Sequence, residues 1–232
     1  MHALRISSWL FLALVALGLP YAALATARRT RSAEGPAAIA SRVQLHWNAI
    51  ATQLLMFGIA WYAGALQGLR FLGPVDLTPY DTLAGAAAVA CMSLMALVSR
   101  AIRSDDERRR MWVLGFLPRT WREGASFTLL AAVAAVSEEL VYRGVAFTMF
   151  TMLTGSAMAG AAISAVAFAG AHAPQGGKSM GVIFVIGLIK QTLVVATHTL
   201  WVAIVVHFLY NVSTALRLAG RARAAGSPTP PA

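Results

Sequence analysis

Long apolar runs alternate with short polar segments along the chain, and seven of the runs are long enough to cross a membrane. A helix needs about 20 apolar residues to span a hydrocarbon core of about 30 Å. Only helices and closed barrels satisfy their backbone within lipid, and barrel strands are much shorter than these runs. The pattern predicts an all-α, polytopic transmembrane helical bundle. Its spans lie near residues 6–26, 48–72, 82–99, 124–153, 156–173, 179–197 and 199–217.

The composition agrees with a membrane protein. Only 12% of the 232 residues are charged and 58% are hydrophobic, whereas a typical soluble domain is about 25% charged. The net charge of +10 does not indicate nucleic-acid binding, because the basic residues are spread between the apolar segments. We therefore expect the lipid bilayer as a partner and no nucleic acid. The single cysteine, Cys91, excludes an internal disulfide and is predicted to be a small buried hydrophobic residue.

The basic residues predict an orientation. Most of the 19 Lys and Arg residues fall on alternate loops, and the positive-inside rule places such loops in the cytoplasm. The N-terminus is then outside and the C-terminus is cytoplasmic. An alternative is a cleaved signal peptide, because the first run ends in YAALATA. Cleavage there would leave the ARRTR cluster outside, so we expect a retained anchor. The Arg- and Ala-rich composition favours a bacterial inner membrane.

Three charged residues occur where lipid is expected, in SEELVYRG at residues 137–144. A charge at the centre of a bilayer costs about 2.5–3.5 kcal/mol on insertion scales, so intramembrane charges are candidates for function. Glu139 and Arg143 are four residues apart and can form an ion pair on one helix face. Glu138 is rotated from Glu139 by about 100°, and one arginine cannot serve both carboxylates equally. Glu138 is the candidate general base, and Glu139 is a supporting or structural residue.

Two later spans add polar side chains at helical spacing. His172 ends a stripe that includes Phe168 and several small residues, which allow close helix packing. His207 and Asn211 share one face of the last span and could donate hydrogen bonds to a developing oxyanion. If the faces converge, the bundle holds a base, two imidazoles and an amide, a set that suits attack of water on a carbonyl. The structural alternative is that these polar groups only tie helices together.

Further predictions concern Lys190, His198 and the depth of Glu138 in the fourth span. Lys190 and His198 lie near the end of the sixth span, so we expect both to reach toward the membrane surface. A straight fourth span from residue 124 would place Glu138 about 21 Å along the helix, too deep to meet His172 at the end of the fifth span. Convergence then requires the fourth span to begin in the membrane interface, outside the hydrocarbon core, or to tilt.

Three motifs occur in order on the polar-bearing spans: EELVYR matches EExxxR, FAGAH matches FxxxH and HFLYN matches HxxxN. Together they resemble the CAAX protease and bacteriocin-processing (CPBP, or Abi) family of intramembrane proteases, related to CAAX prenyl protease 2. The resemblance covers roughly residues 111–216, and the first three spans fit only the general helical pattern. We therefore divide the chain into N-terminal transmembrane helices with basic cytoplasmic loops (1–110), a catalytic core (111–217) and a disordered tail (218–232).

The resemblance implies an endopeptidase that hydrolyses peptide bonds of a membrane-associated protein or peptide with an activated water. Glu138 and His172 would activate the water. His207 and Asn211 would stabilise the oxyanion, and the supporting residues would be Glu139, Arg143 and Phe168. This glutamic-type mechanism requires no metal. In the metalloendopeptidase alternative, Zn²⁺ would be bound by Glu138, His172 and His207.

Two non-proteolytic functions are compatible with the same polar cluster. One is a non-catalytic membrane immunity or scaffold protein, in which the cluster is purely structural. The other is a proton-coupled transporter, against which the chain shows no inverted repeat. The substrate, its prenylation and the oligomeric state are not predicted from the sequence.

Overall fold

The structure, a computed structural model, describes residues 4–32, 41–73, 75–104, 107–108 and 112–224. All regular structure in these residues is helical, and seven helices of at least 15 residues pack into a bundle. The prediction of an all-α polytopic bundle is confirmed. The helices are α1 (residues 6–32), α2 (Arg42–Leu66), α3 (Pro79–Ala101), α4 (Trp121–Thr154), α5 (Ala157–Ala171), α6 (Gly177–Thr197) and α7 (Leu200–Ala224).

Each of the seven predicted runs forms a helix, but the fifth is short. Among the described residues, six helices are long and apolar enough to cross a membrane, which supports an integral membrane protein. The exception is α5, which has 15 residues. At 1.5 Å per residue it is about 22 Å long, less than the hydrocarbon core of about 30 Å.

Helix α4 is the most enclosed of these helices. Half of its apolar 18-residue segment is buried in the bundle, against 17–33% of the corresponding segments in the other candidate spans. It packs against α2, α5 and α7. Between two α-helical parts, Trp121–Glu138 and Phe147–Thr154, it contains a π-helical segment, Glu139–Ala146. Such segments are rare and often occur at functional sites. Here the segment contains both members of the predicted Glu139–Arg143 pair.

Local sequence signals define the ends of α4 and the tight turn into α5. A capping box formed by Thr120 and Glu123 begins α4. Gly155, in the left-handed conformation with φ 68°, ends it. Ser156 then caps α5. A Cβ on Gly160 would lie 2.9 Å from the backbone nitrogen of Thr151, so the close approach of α5 to α4 requires a glycine at this position.

The buried apolar side chains form two clusters. The larger one joins α1, α2, α4, α5 and α7, with Val15, Ala60, Val145 and Phe168 among its members. The smaller one joins α3, α6 and α7 around Met92. Helix α7 contributes to both clusters, whereas α4 and α5 belong to the larger one and α6 to the smaller one.

Two expectations from the sequence differ from the structure. Cys91 is exposed, so the prediction of a buried residue is wrong. The buried face of α3 is the stripe that includes Gly85, Ala88 and Met92, and Cys91 lies off that stripe. Helix α7 extends to Ala224, beyond the tail boundary predicted at 217. Its last turns are rich in Ala, Leu and Arg, which favour a helix; residues 225–232 lie outside the described residues.

The α4–α5 contact predicts a selective effect of glycine replacement. We expect Gly160→Ala to destabilise the protein by about 1–3 kcal/mol, because the added methyl group overpacks the contact with Thr151. Gly181→Ala is the matched control on α6, where a Cβ would meet no atom within 4 Å. Unfolding of both variants is measured in detergent. Equal stability of the two variants would contradict a glycine-dependent helix contact.

Candidate active site

The α4–α5 hairpin brings the first two motifs to the same height. Glu138 precedes the Gly155 turn by 17 residues, and His172 follows it by 17 residues. In two antiparallel neighbours, equal distances from the turn give equal heights, here about 25 Å from it. The depth conflict expected from the sequence is thereby removed, because the relevant distance runs from the turn and not from the start of the span.

The α6–α7 hairpin acts in the same way. It turns at His198, which has a left-handed backbone with φ 53° and an exposed side chain. Lys190 precedes this residue by eight positions, and His207 follows it by nine. The hairpin thus places an ammonium group beside the imidazole of the third motif.

Glu139 is the centre of a buried polar cluster contributed by three helices. Its side chain is completely buried. Its Oε1 accepts a hydrogen bond from Nζ of Lys190 at 2.6 Å and lies 2.7 Å from Nδ1 of His207. Its Oε2 lies 3.5 Å from Nε of Arg143 in an ion pair. A buried carboxylate is tolerated when cations and hydrogen bonds compensate its lost hydration, and here two cations do so.

Lys190 does not reach toward the membrane surface, so that prediction is wrong. Its side chain is only 1% exposed, because this face of α6 points at α4 and α7. Its Nζ also lies 3.0 Å from Nδ1 of His207. The signal that could have identified Lys190 is its isolation, since it is the one charged residue in the apolar stretch 179–197. An intramembrane charge with no oppositely charged neighbour in sequence needs a partner elsewhere.

Phe168 connects the second motif to this cluster. Its ring centre lies 4.2 Å from Cζ of Arg143 and 4.8 Å from Nζ of Lys190, which are cation–π distances. The ring of His172 packs edge-on against it at 4.6 Å. Nδ1 of His172 lies 2.8 Å from the carbonyl oxygen of Phe168. A carbonyl only accepts, so Nδ1 donates, and Nε2 of a neutral His172 is left as an acceptor.

Glu138 has a different environment from its neighbour Glu139. Its side chain is 14% exposed, and its Oε2 lies 3.6 Å from Nε2 of His207. Its Oε1 accepts a hydrogen bond of 2.8 Å from Nε2 of Gln53 on α2. Gln53 was not predicted from the sequence, because it is a neutral polar residue whose partner is 85 positions away. Glu138 is thus partly exposed, and no lysine or arginine pairs with it among the described residues.

Of the predicted site residues, Asn211 is the one with the weakest connection to the others through side-chain contacts. It lies on α7 one turn after His207 and is partly buried. Its side chain makes no hydrogen bond to any of the described residues. The structure therefore brings Glu138, Glu139, Arg143 and His207 together directly. His172 joins them through Phe168, whereas Asn211 only shares a helix face with His207.

The zinc alternative requires three ligands around one point. Within the described part of the chain, no group of three His, Cys, Asp or Glu side chains is arranged to hold a metal ion. Glu138, His172 and His207 therefore do not form such a set.

Comparison with known proteins agrees with the three motifs. Residues 120–213 match the family model described as type II CAAX prenyl endopeptidase Rce1-like. This region is similar to CAAX prenyl endopeptidases. The resemblance predicted from the motifs is confirmed, and the Rce1-like region contains every predicted site residue. Gln53 lies outside it. No curated protein and no solved structure matched the chain.

The buried cluster predicts a large effect when its carboxylate is removed. We expect Glu139→Gln to destabilise the protein by about 3–5 kcal/mol, because two buried cations lose the charge that compensates them. Thermal unfolding in detergent measures the effect.

Glu107→Gln is the control for this substitution. Glu107 forms an exposed ion pair with Lys178 at 2.8 Å, and exposed pairs contribute little to stability. The unfolding temperature of Glu107→Gln should therefore equal that of the wild type. A similarly small change for Glu139→Gln would show that the cluster does not depend on its carboxylate.

Proposed function

We propose that this protein is an intramembrane endopeptidase that cleaves a peptide bond of a membrane-associated protein or peptide with a water activated by Glu138 and His172. The Rce1-like region supports a CAAX-type intramembrane protease at the level of the family. The observation that favours the glutamate mechanism is the contrast between two adjacent carboxylates. Glu139 is completely buried beside Arg143 and Lys190, whereas Glu138 is partly exposed beside His207.

The contacts suggest how the chemistry is divided. Glu138 accepts a proton from the water as the oxygen attacks the carbonyl carbon, and the Nε2 acceptor of His172 helps to orient that water. The carbonyl oxygen becomes an oxyanion, which accepts hydrogen bonds from Nε2 of His207 and the amide of Asn211. Protonated Glu138 then returns the proton to the leaving amine as the carbon–nitrogen bond breaks.

The supporting residues hold this arrangement in place. Glu139 lies 2.7 Å from Nδ1 of His207, which orients the ring so that Nε2 faces Glu138. Arg143 and Lys190 compensate the charge of Glu139 and pack on Phe168. We further propose that the N-terminus is outside, the C-terminus is cytoplasmic and the host membrane is the inner membrane of a bacterium, as the distribution of basic residues and the composition indicate.

The glutamate mechanism predicts the behaviour of a single substitution. Glu138→Gln should lower peptide cleavage at least about 10²-fold, because the amide cannot accept the proton of the water. The change preserves the shape of a partly exposed side chain, so the variant should fold. A peptide library and membrane fractions are digested with the wild type and the variant, with Glu107→Gln as the active control.

The two other outcomes of that digestion are equally informative. Equal cleavage by the wild type and Glu138→Gln would contradict the glutamate mechanism. Absence of cleavage by both would favour the non-catalytic immunity or scaffold protein, in which the polar cluster only holds helices together.

A chelator experiment separates the two proteolytic mechanisms. We expect cleavage to persist after treatment with a strong zinc chelator, because no zinc-binding set is present in the described residues. Elemental analysis of the active sample should show less than one bound zinc per chain. Loss of activity on chelation, followed by recovery with Zn²⁺, would establish the metalloendopeptidase alternative.

A further inference from the structure

Gln53 binds Glu138 from a helix outside the Rce1-like region. Its Nε2 lies 2.8 Å from Oε1 of Glu138, whereas the family match covers residues 120–213. The NH₂ group of an amide only donates, and the oxygens of an ionised carboxylate only accept. One oxygen of Glu138 therefore has a defined donor on α2.

A second polar contact fixes the rotation of α2 that directs Gln53 at α4. His46 on α2 is completely buried, and its Nδ1 lies 2.7 Å from Oγ of Ser126 on α4. Gln53 follows His46 by seven residues, which is about two helical turns, so both side chains lie on the same face. Ile50 and Ala60 on this face are also buried. The packing that buries this face of α2 therefore also places Gln53 opposite Glu138.

The two oxygens of Glu138 face different helices. Oε1 accepts the hydrogen bond from Gln53 on α2, and Oε2 lies 3.6 Å from Nε2 of His207 on α7. The terminal torsion of a glutamate side chain has broad minima, so a carboxylate without such contacts would adopt many orientations. The bond to Gln53 restrains this torsion and keeps Oε2 directed at the imidazole.

A neutral donor suits a group that takes up and releases a proton. A lysine or arginine at this position would form an ion pair with Glu138, as Arg143 and Lys190 do with Glu139. The amide of Gln53 carries no charge. When Glu138 is protonated on Oε2, Oε1 becomes the carbonyl oxygen of the acid and still accepts a hydrogen bond. The same contact can therefore persist in both protonation states.

We propose that Gln53 is a positioning residue that holds Oε1 of Glu138, so that Oε2 receives the proton of the attacking water. This inference rests on the proposed endopeptidase function. One O–H bond of the water breaks as its oxygen bonds to the carbonyl carbon, and the proton moves to Oε2. Oε2 then gives this proton to the leaving amine as the carbon–nitrogen bond breaks. Gln53 retains its own hydrogens throughout.

Kinetics of the full chain in lipid vesicles provide the first test. Gln53→Met, which retains the length of the side chain without its donor, should lower kcat by about 10–10²-fold with KM unchanged, because the base is no longer held in its reactive orientation. Gln44→Met is the matched control, since it makes the same change at an exposed position of α2. It should retain the wild-type kcat.

The background of the substitution separates positioning from simple helix packing. In Glu138→Gln, the further change Gln53→Met should cause no additional loss of the residual cleavage, because Gln53 acts through the carboxylate that is already absent. If the bond only tied α2 to α4, Gln53→Met would change kcat by the same factor in both backgrounds.

Thermal unfolding in detergent tests the contact without reference to activity. The set is Gln53→Met, Glu138→Met and the double variant. We expect the unfolding temperature of the double variant to fall by less than the sum of the two single shifts, because the second substitution has no hydrogen bond left to remove.

The outcomes distinguish the inference from the function on which it rests. Additive shifts in unfolding temperature, an unchanged kcat in Gln53→Met, or an equal loss in both backgrounds would each overturn the positioning role. Absence of Glu138-dependent cleavage in the wild type would instead refute the proposed function, and the catalytic role of Gln53 with it. The unfolding measurements would still decide whether Gln53 and Glu138 interact.

Discussion

The arrangement of α4, α6 and α7 depends on the burial of one carboxylate. Glu139 has no contact with water, and removing an ion from water costs several kcal/mol unless partners replace the lost hydration. Its partners come from the same helix, Arg143, and from two others, Lys190 on α6 and His207 on α7. Each contact tolerates little displacement at these distances. The need to compensate a single charge therefore constrains the relative heights and rotations of α4, α6 and α7.

The same constraint separates the roles of two neighbouring residues. Glu138 and Glu139 differ by one position, yet one is partly exposed and the other is sealed. A helix turns about 100° per residue, so adjacent side chains enter different environments. Glu139 holds the imidazole of His207 from inside the cluster, and Glu138 meets the same imidazole from the accessible side. A pair of identical residues thus provides one completely buried carboxylate and one that remains partly exposed.

Much of the architecture followed from the chain, because apolar length and the spacing of four residues depend only on local geometry. The helical runs and the pairing of Glu139 with Arg143 were predicted for this reason. The partners from distant helices were not. Lys190 was assigned to the surface because it lies near a helix end, although its environment is set by the packing of α6. Gln53 was missed because its bond to Glu138 joins positions 85 residues apart, and a neutral amide gives no sign of its partner.

The shortness of α5 has a consequence for the surrounding lipid. A helix of about 22 Å cannot match a hydrocarbon core of about 30 Å, and such a hydrophobic mismatch of about 8 Å is relieved by thinning of the bilayer or by covering protein. The end of α5 that carries His172 would then lie beneath a shallow depression in the membrane surface. For the proposed endopeptidase, such a depression would shorten the path from the membrane surface to Glu138, so that no channel through the whole bilayer would be needed.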